Sequence, residues 1–250
     1  MSKEENKYLS TTGLTFPTCE EELLAYDKQH ENVVYELNEN VIDPFKIAKE
    51  FEVEEAYKKK ILNKSQSYFR RAVLAAKITD EYHNEWTFGI VKFQKLVYLA
   101  EQISKMKFAA DYRKQAAGPM NHKFIHSIKK EFEKQGWFTV HKQEGKYQKW
   151  IFTPQARLKN YESYYSQYFF DANEDIQFLI DSFRKWKTDK VELIATVFAC
   201  WLEAKEENSL INDALLTQKV YAWHKAKKKF SKKDIIESIR WMKDNGVYPK

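Results

Sequence analysis

Six glycines and five prolines are all that punctuate 250 residues. So few turn-formers leave room only for a small number of long elements. The chain is rich in lysine, glutamate and leucine, which favour helix over the short, frequently turned strands of a sandwich or barrel. At this length one large domain or two small ones can bury a substantial core. Cys19 and Cys200 lie far apart with no partner spacing, so each is expected as a reduced thiol and no disulfide framework is expected. No stretch reaches the length of a membrane span, the longest apolar run being Val191 to Leu202, interrupted by Glu192. Residues Met1 to Glu5 lack a signal-peptide core. The expectation is a cytoplasmic protein without membrane association.

Charge is unevenly placed. The whole chain carries +6, yet residues 1–60 hold eight lysines, no arginine and fourteen acids, a net of −6, which leaves +12 on the other 190 residues. An acidic segment joined to a basic body has three uses: competing with an anionic partner, engaging a partner of its own, or packing on the body and offsetting its charge.

Along the chain, Thr18-Cys19-Glu20-Glu21 fits a capping box opening a short helix to about Gln29, and Asp43-Pro44 starts another. Val33 to Leu37 reads as extended. Ser65 starts a helix through about Tyr82, with Phe69, Val73, Leu74 and Ile78 on one side. Thr87 is placed to cap the next, whose Phe93, Leu96, Val97, Ala100 and Ile103 keep helical spacing. Gly118-Pro119 sets a turn, with Pro119 at the start of a helix from Met120 to Gln135 that Gly136 ends as a left-handed cap. Two alternating runs follow, Trp137 to Lys142 and Tyr147 to Phe152, joined at Glu144-Gly145 as a β-hairpin. Beyond Pro154 the pattern is helical again. Asp171 with Glu174, Thr188, Ser209 and Ser231 mark successive helix starts, and Asn245-Gly246 marks the last stop.

The Met120–Gln135 segment is the most informative. Phe124, Ile125, Ile128 and Phe132 share one face, while His122, Lys123, His126, Lys130 and Lys134 gather on the opposite arc, with Glu133 its main acid. A helix followed by a hairpin, both basic, has the order of a winged helix. Lys123, His126, Lys130 and Lys134 on the helix, with Lys142, Lys146 and Lys149 on the hairpin, form a candidate DNA-binding footprint. The plain alternatives are a solvated lysine face and a protein-binding winged helix.

Two segments, Phe88-Gly89-Ile90-Val91-Lys92-Phe93-Gln94-Lys95-Leu96-Val97-Tyr98-Leu99 and Tyr112-Arg113-Lys114-Gln115-Ala116-Ala117-Gly118-Pro119, carry a family likeness. With Val191 to Trp201, and the stretch from Trp223 through Lys229-Phe230 to Trp241-Met242 and Gly246-Val247-Tyr248-Pro249, the chain resembles a module attached to bacterial type I restriction-modification specificity subunits. That likeness covers roughly residues 68–250. The first two segments also resemble the Panacea antitoxin domain. What either resemblance implies is bacterial or phage defence without catalysis by this domain, and neither supplies site residues. The chain lacks the tandem target-recognition domains of the specificity subunits, so an accessory or regulatory role is implied ahead of sequence-specific reading.

Other constellations point to no chemistry. His122 and His126 have the spacing of a zinc pair but lack a third ligand in sequence. No Gly-x-Ser-x-Gly or phosphate-binding glycine loop occurs, and the only clear strands lack a carboxylate-x-Lys nuclease site. Cys200 reads as a core thiol. The lysine run Lys225 to Lys233 beside Trp223, His224 and Phe230 suits base stacking or, as a plainer reading, a charged loop over core aromatics. Tyr161, Tyr164, Tyr165 and Tyr168 read as a helix packed on its own domain.

The resulting expectation is a mainly α fold: a helical domain containing a winged-helix-like unit with a two-stranded β-hairpin. Its parts are an acidic arm or small helical subdomain (1–64), the winged-helix-like domain (65–155) and a C-terminal helical subdomain (156–250). The expected function is a non-enzymatic, cofactor-free accessory of a bacterial restriction-modification or related phage-defence system, binding DNA or a defence protein. The alternative is a Panacea-like antitoxin that neutralises a toxin by direct protein binding.

Overall fold

The computed structural model describes residues 66–105, 112–143 and 149–250, with two short strands at 8–9 and 15–16. It is mainly helical with small antiparallel sheets, as the composition predicts. The chain forms two units, Met1–Phe69 and Arg70–Lys250. In the first, β1 (Tyr8–Leu9) pairs antiparallel with β2 (Thr15–Phe16). The helices expected after Thr18 and Asp43, the extended run at Val33 and Cys19 lie outside the described residues.

The second unit is built on three helices. α1 spans residues 66–82, and from Arg70 it belongs to this unit. α2 (Ile90–Ile103) and α6 (Thr188–Glu206) pack against one another. Each is buried nearly all round, the signature of a central helix. Ala72 to Ala76, Ile78 and Tyr82 of α1 have no exposure, nor do Phe93, Leu96, Val97, Leu99 and Ala100 of α2. Around them run β3 (Arg113–Gln115) paired with β4 (Gly118–Met120), α3 (His122–Gln135), β5 (Phe138–Gln143) paired with β6 (Lys149–Pro154), and α4 (Tyr161–Tyr168). Then come α5 (Asn173–Phe183), α7 (Asp213–Trp223) and α8 (Lys232–Asp244). The winged-helix region and the C-terminal helices share this one unit.

The buried helices carry polar residues, and each finds a partner inside. Lys92 donates to the carbonyls of Arg184 and Trp186 at 3.2 and 2.8 Å, satisfying backbone acceptors left open where α5 ends. Arg71 of α1 is paired with Glu101 of α2, and Tyr112 bonds both, receiving from the guanidinium and donating to the carboxylate at 2.7 Å. That guanidinium also lies 3.8 Å from the Phe124 ring centre, tying α3 to α1.

Several local expectations change. Thr87 does not cap α2, whose N-cap is Gly89; its hydroxyl accepts from Lys92 instead. Pro119 opens no helix: it sits in β4 opposite Lys114, and Asn121 caps α3 two residues later. The strand is tolerated because Pro119's own missing N–H faces no demand in a three-residue pairing, while its carbonyl is taken by Lys95. Trp137 precedes β5 as a buried residue. Asp171 lies in a 3₁₀ turn and α5 starts at Asn173 behind Ala172. Asn212, with its side chain accepting from Leu215 N–H, caps α7 in place of Ser209. By contrast Ser231 and Asp234 form the expected capping box, and Gly136 and Gly246 take the left-handed conformation at φ +68°.

Candidate nucleic-acid interface

α3 is fixed at both ends. The Asn121 side chain accepts from Phe124 N–H at 3.0 Å, and after Gly136 the Trp137 N–H returns to the Phe132 carbonyl at 2.9 Å. Between these caps Phe124, Ile125, Ile128 and Phe132 are buried, so the rotation of the helix is set by its apolar face. Phe132 meets Phe138 at 5.3 Å between ring centres, which seats β5 beside the helix.

The opposite arc faces outward. His122, Lys123, His126 and Lys134 are exposed, and Lys129 and Lys130 are half-buried. Glu133 is also exposed and lies 3.9 Å from Lys129. Strand alternation carries the charge onto the hairpin. Phe138 and Val140 turn into the core, and Lys142, on the same side of the strand, has passed its edge and is exposed. Lys142 pairs with Trp150 across the ladder, its ammonium 5.6 Å from the indole centre. Partial burial, and then the fields of His122, Lys129, Lys142 and Lys130, hold the His126 imidazole below its ordinary pKa. Helix and hairpin each present exposed cations, and the two elements pack against one another.

Of the seven predicted footprint residues, Lys123, His126, Lys134 and Lys142 are exposed and Lys130 is half-exposed. Lys146 lies outside the described residues, and of Lys149 only the backbone, paired with Gln143, is described. Trp150, half-exposed within this surface, was not among the predicted residues. The signal that finds it is register: once His141 and Ile151 are opposed, Lys142 and Trp150 must be neighbours.

Within the second lysine cluster Lys227 goes inside the fold, while Lys225, Lys228, Lys229, Lys232 and Lys233 are exposed. Lys227 has no exposure and donates to Glu192 at 2.6 Å, while Lys229 reaches Asp189 at 2.7 Å and Glu192 at 3.3 Å. Phe230 is buried and the Trp223 indole N–H donates to the Gln115 carbonyl at 2.9 Å. Phe230 is core, as the plainer reading has it, and Trp223 is half-buried; Lys227 is an interior ion-pair partner and no loop charge. Burial pushes Lys95 down to about 7, aided by the nearby Lys227 ammonium. Burial likewise pushes the Cys200 thiol up to about 12, helped by Glu203. Such a thiol is a poor nucleophile.

Among the described residues no group of three or more His, Cys, Asp and Glu side chains gathers to hold a metal ion. A cleft of about 250 Å³ lies between Phe178, Phe198, Leu202 and Tyr248, with Asp175 and Lys105 at its wall. Among the described residues no helix is long and apolar enough to cross a membrane. Comparison with protein-family models and with curated proteins finds no match.

Proposed function

We propose that this chain is a non-enzymatic accessory of a bacterial restriction-modification or related phage-defence system, and that it binds nucleic acid through the outer arc of α3 and the adjoining edge of β5. The observation that carries the binding half is the set of exposed cations, Lys123, His126 and Lys134 on the outer arc of α3 with Lys142 on β5. Lysines so placed neutralise phosphates and release counterions, which gives sequence-independent affinity. The defence setting rests on the resemblance alone. The segments that carry it contribute Lys92, Lys95, Gly118, Pro119 and Glu192, all buried. They speak to a common fold rather than a common ligand.

Fluorescence anisotropy on a nucleic-acid probe, from about 50 to about 200 mM salt, tests the binding half. Affinity is expected to fall steeply over that range, and a K123Q/K130Q/K134Q variant is expected to flatten the log–log salt slope by about one per lysine removed. Absence of binding at the lowest salt removes the proposal.

A protein-neutralising antitoxin is the second reading, and one surface favours it. Phe170 is 81% exposed, and Tyr164, six residues earlier in the chain, is 40% exposed and stacked on Tyr168 at 6.4 Å. Exposed aromatics of this kind suit a protein partner. Gly118 and Pro119 are buried and offer a toxin no contact. Co-expression with the neighbouring gene product, with and without Phe170→Ser, separates this reading from the first: rescue of growth lost in the variant supports it.

A further inference from the structure

We infer that the nucleic acid this surface takes is one with unpaired bases, a base stacking on the indole of Trp150 while the α3 cations and Lys142 hold the neighbouring phosphates. The inference rests on the nucleic-acid reading above and adds the class of strand.

Four observations point the same way. Trp150 and Phe152 project from the same side of β6. Phe152 is buried against Phe88 and Phe93, each 5.3 Å away between ring centres, but Trp150 lies past the edge of that core and keeps part of its ring in solvent. A half-buried indole at the end of a strand leaves part of its surface open to a stacked base.

Next, the indole is continuous with charge. The Lys142 ammonium stands 5.6 Å from its centre, and the strand that carries Lys142 packs against α3, whose His122, Lys123 and His126 are exposed. An aromatic ring set into a cationic track is the arrangement by which proteins hold single strands, because every base has a π-face and every linkage a phosphate.

The helix is also poorly equipped to read a duplex. Adenine is recognised in the major groove chiefly by asparagine and glutamine, and guanine by arginine or lysine, through paired hydrogen bonds. α3 contains no arginine. Its single amide, Gln135, donates to Glu131 at 2.7 Å, and the Asn121 side chain just before it is spent on the N-cap. Lysine and histidine remain, and they contact phosphates well.

Finally, the hydrogen-bonding demands of the helix are met within the protein at both caps, so the outer arc is a preformed surface that needs no rearrangement to receive a strand.

The test uses the full chain and four probes of matched length at one low ionic strength, compared per phosphate: a mixed-sequence DNA single strand, the corresponding duplex, an abasic strand and inorganic polyphosphate. The single strand is expected to bind most tightly. Trp150→Ala is expected to weaken it about tenfold or more, the loss of one base stack, and to leave duplex, abasic strand and polyphosphate nearly unchanged. Trp150→Phe should keep most of the preference while losing the part of the fluorescence quench that Trp150 contributes, a readout that holds even if the alanine variant is unstable. Equal binding of the single and abasic strands, or a preference indifferent to both substitutions, overturns the inference while leaving phosphate binding by this face in place. Failure of all four probes to bind overturns both.

Discussion

The Lys95 ammonium donates to the Pro119 carbonyl at 2.5 Å from a position with no solvent exposure, joining the middle of α2 to β4. Gly118, one residue before, has φ +91°, and a Cβ there would come within 2.7 Å of the Thr196 hydroxyl on α6. The β3–β4 hairpin is thus wedged between two central helices. Its Gly-Pro is there for close approach and backbone sign, not for starting a helix.

Lys95 makes stability depend on pH. Burial holds its folded-state pKa at about 7 and that of Lys92 at about 8, against an ordinary 10.5. From about 7 up to 10.5 the unfolded chain therefore binds more protons than the folded one, and stability rises with pH through that window. The urea midpoint is expected to be higher at pH 9 than at pH 7, and Lys95→Met to reduce the rise. The substitution strands the Pro119 carbonyl at either pH, but its cost should be larger at pH 9 than at pH 7, because the native Lys95 is neutral there and its burial no longer costs a proton. A wild-type midpoint that falls between these values would contradict the burial argument.

Glu192 is held at 5% exposure with Lys227 at zero, 2.6 Å apart. Removing one charge of such a pair leaves the other buried and uncompensated, at about 3–5 kcal/mol. Glu192→Gln is expected to cost that much in chemical denaturation. Glu192→Leu with Lys227→Met should cost much less than the sum of the two single changes. Additive costs would show that the two side chains do not depend on each other.

What was legible in the sequence was local. The apolar spacing of Phe124, Ile125, Ile128 and Phe132 fixes which arc of α3 is wet, so its lysines and histidines were found before any coordinates. Gly136 and the Ser231–Asp234 pair announce helix ends through chemistry confined to a few neighbouring residues. What escaped depends on partners far away in sequence. Pro119 joins a strand because Lys95 and the Trp223 contact to Gln115 hold the hairpin in place. Lys227 looks like one more lysine in a charged run until Glu192, 35 residues earlier, is brought against it. Trp150 belongs to the candidate interface through the hairpin register, which sets it opposite Lys142.

The Ser231 hydroxyl accepts from Asp234 N–H at 3.1 Å, and the Asp234 carboxylate accepts from Ser231 N–H at 3.0 Å, so two of the open donors at the start of α8 are served. Ser231→Ala is expected to lower unfolding free energy by about 1 kcal/mol. Ser231→Asp should recover most of it, since a carboxylate at this position also accepts the bond and complements the helix dipole. Equal loss in the two variants would mean the cap is not what secures this end, leaving Ile235, Ile239 and Met242, all without exposure, to hold the helix by packing.

Residues 1–60 bear −6 against +12 on the remainder, and an approaching polyanion responds to the summed field as well as to the contacts it finally makes. Replacing Glu20, Glu21 and Glu22 together by glutamine raises the net charge from +6 to +9. Faster association with a nucleic-acid probe is expected at about 10 mM ionic strength, where charges act over about 30 Å. The gain should largely vanish near 150 mM, where they act over about 8 Å. Stopped-flow association rates at the two salts check this. A gain that persists undiminished at the higher salt would mean that the three glutamates oppose binding at short range, and an absent gain that they do not contribute to the field at the binding face.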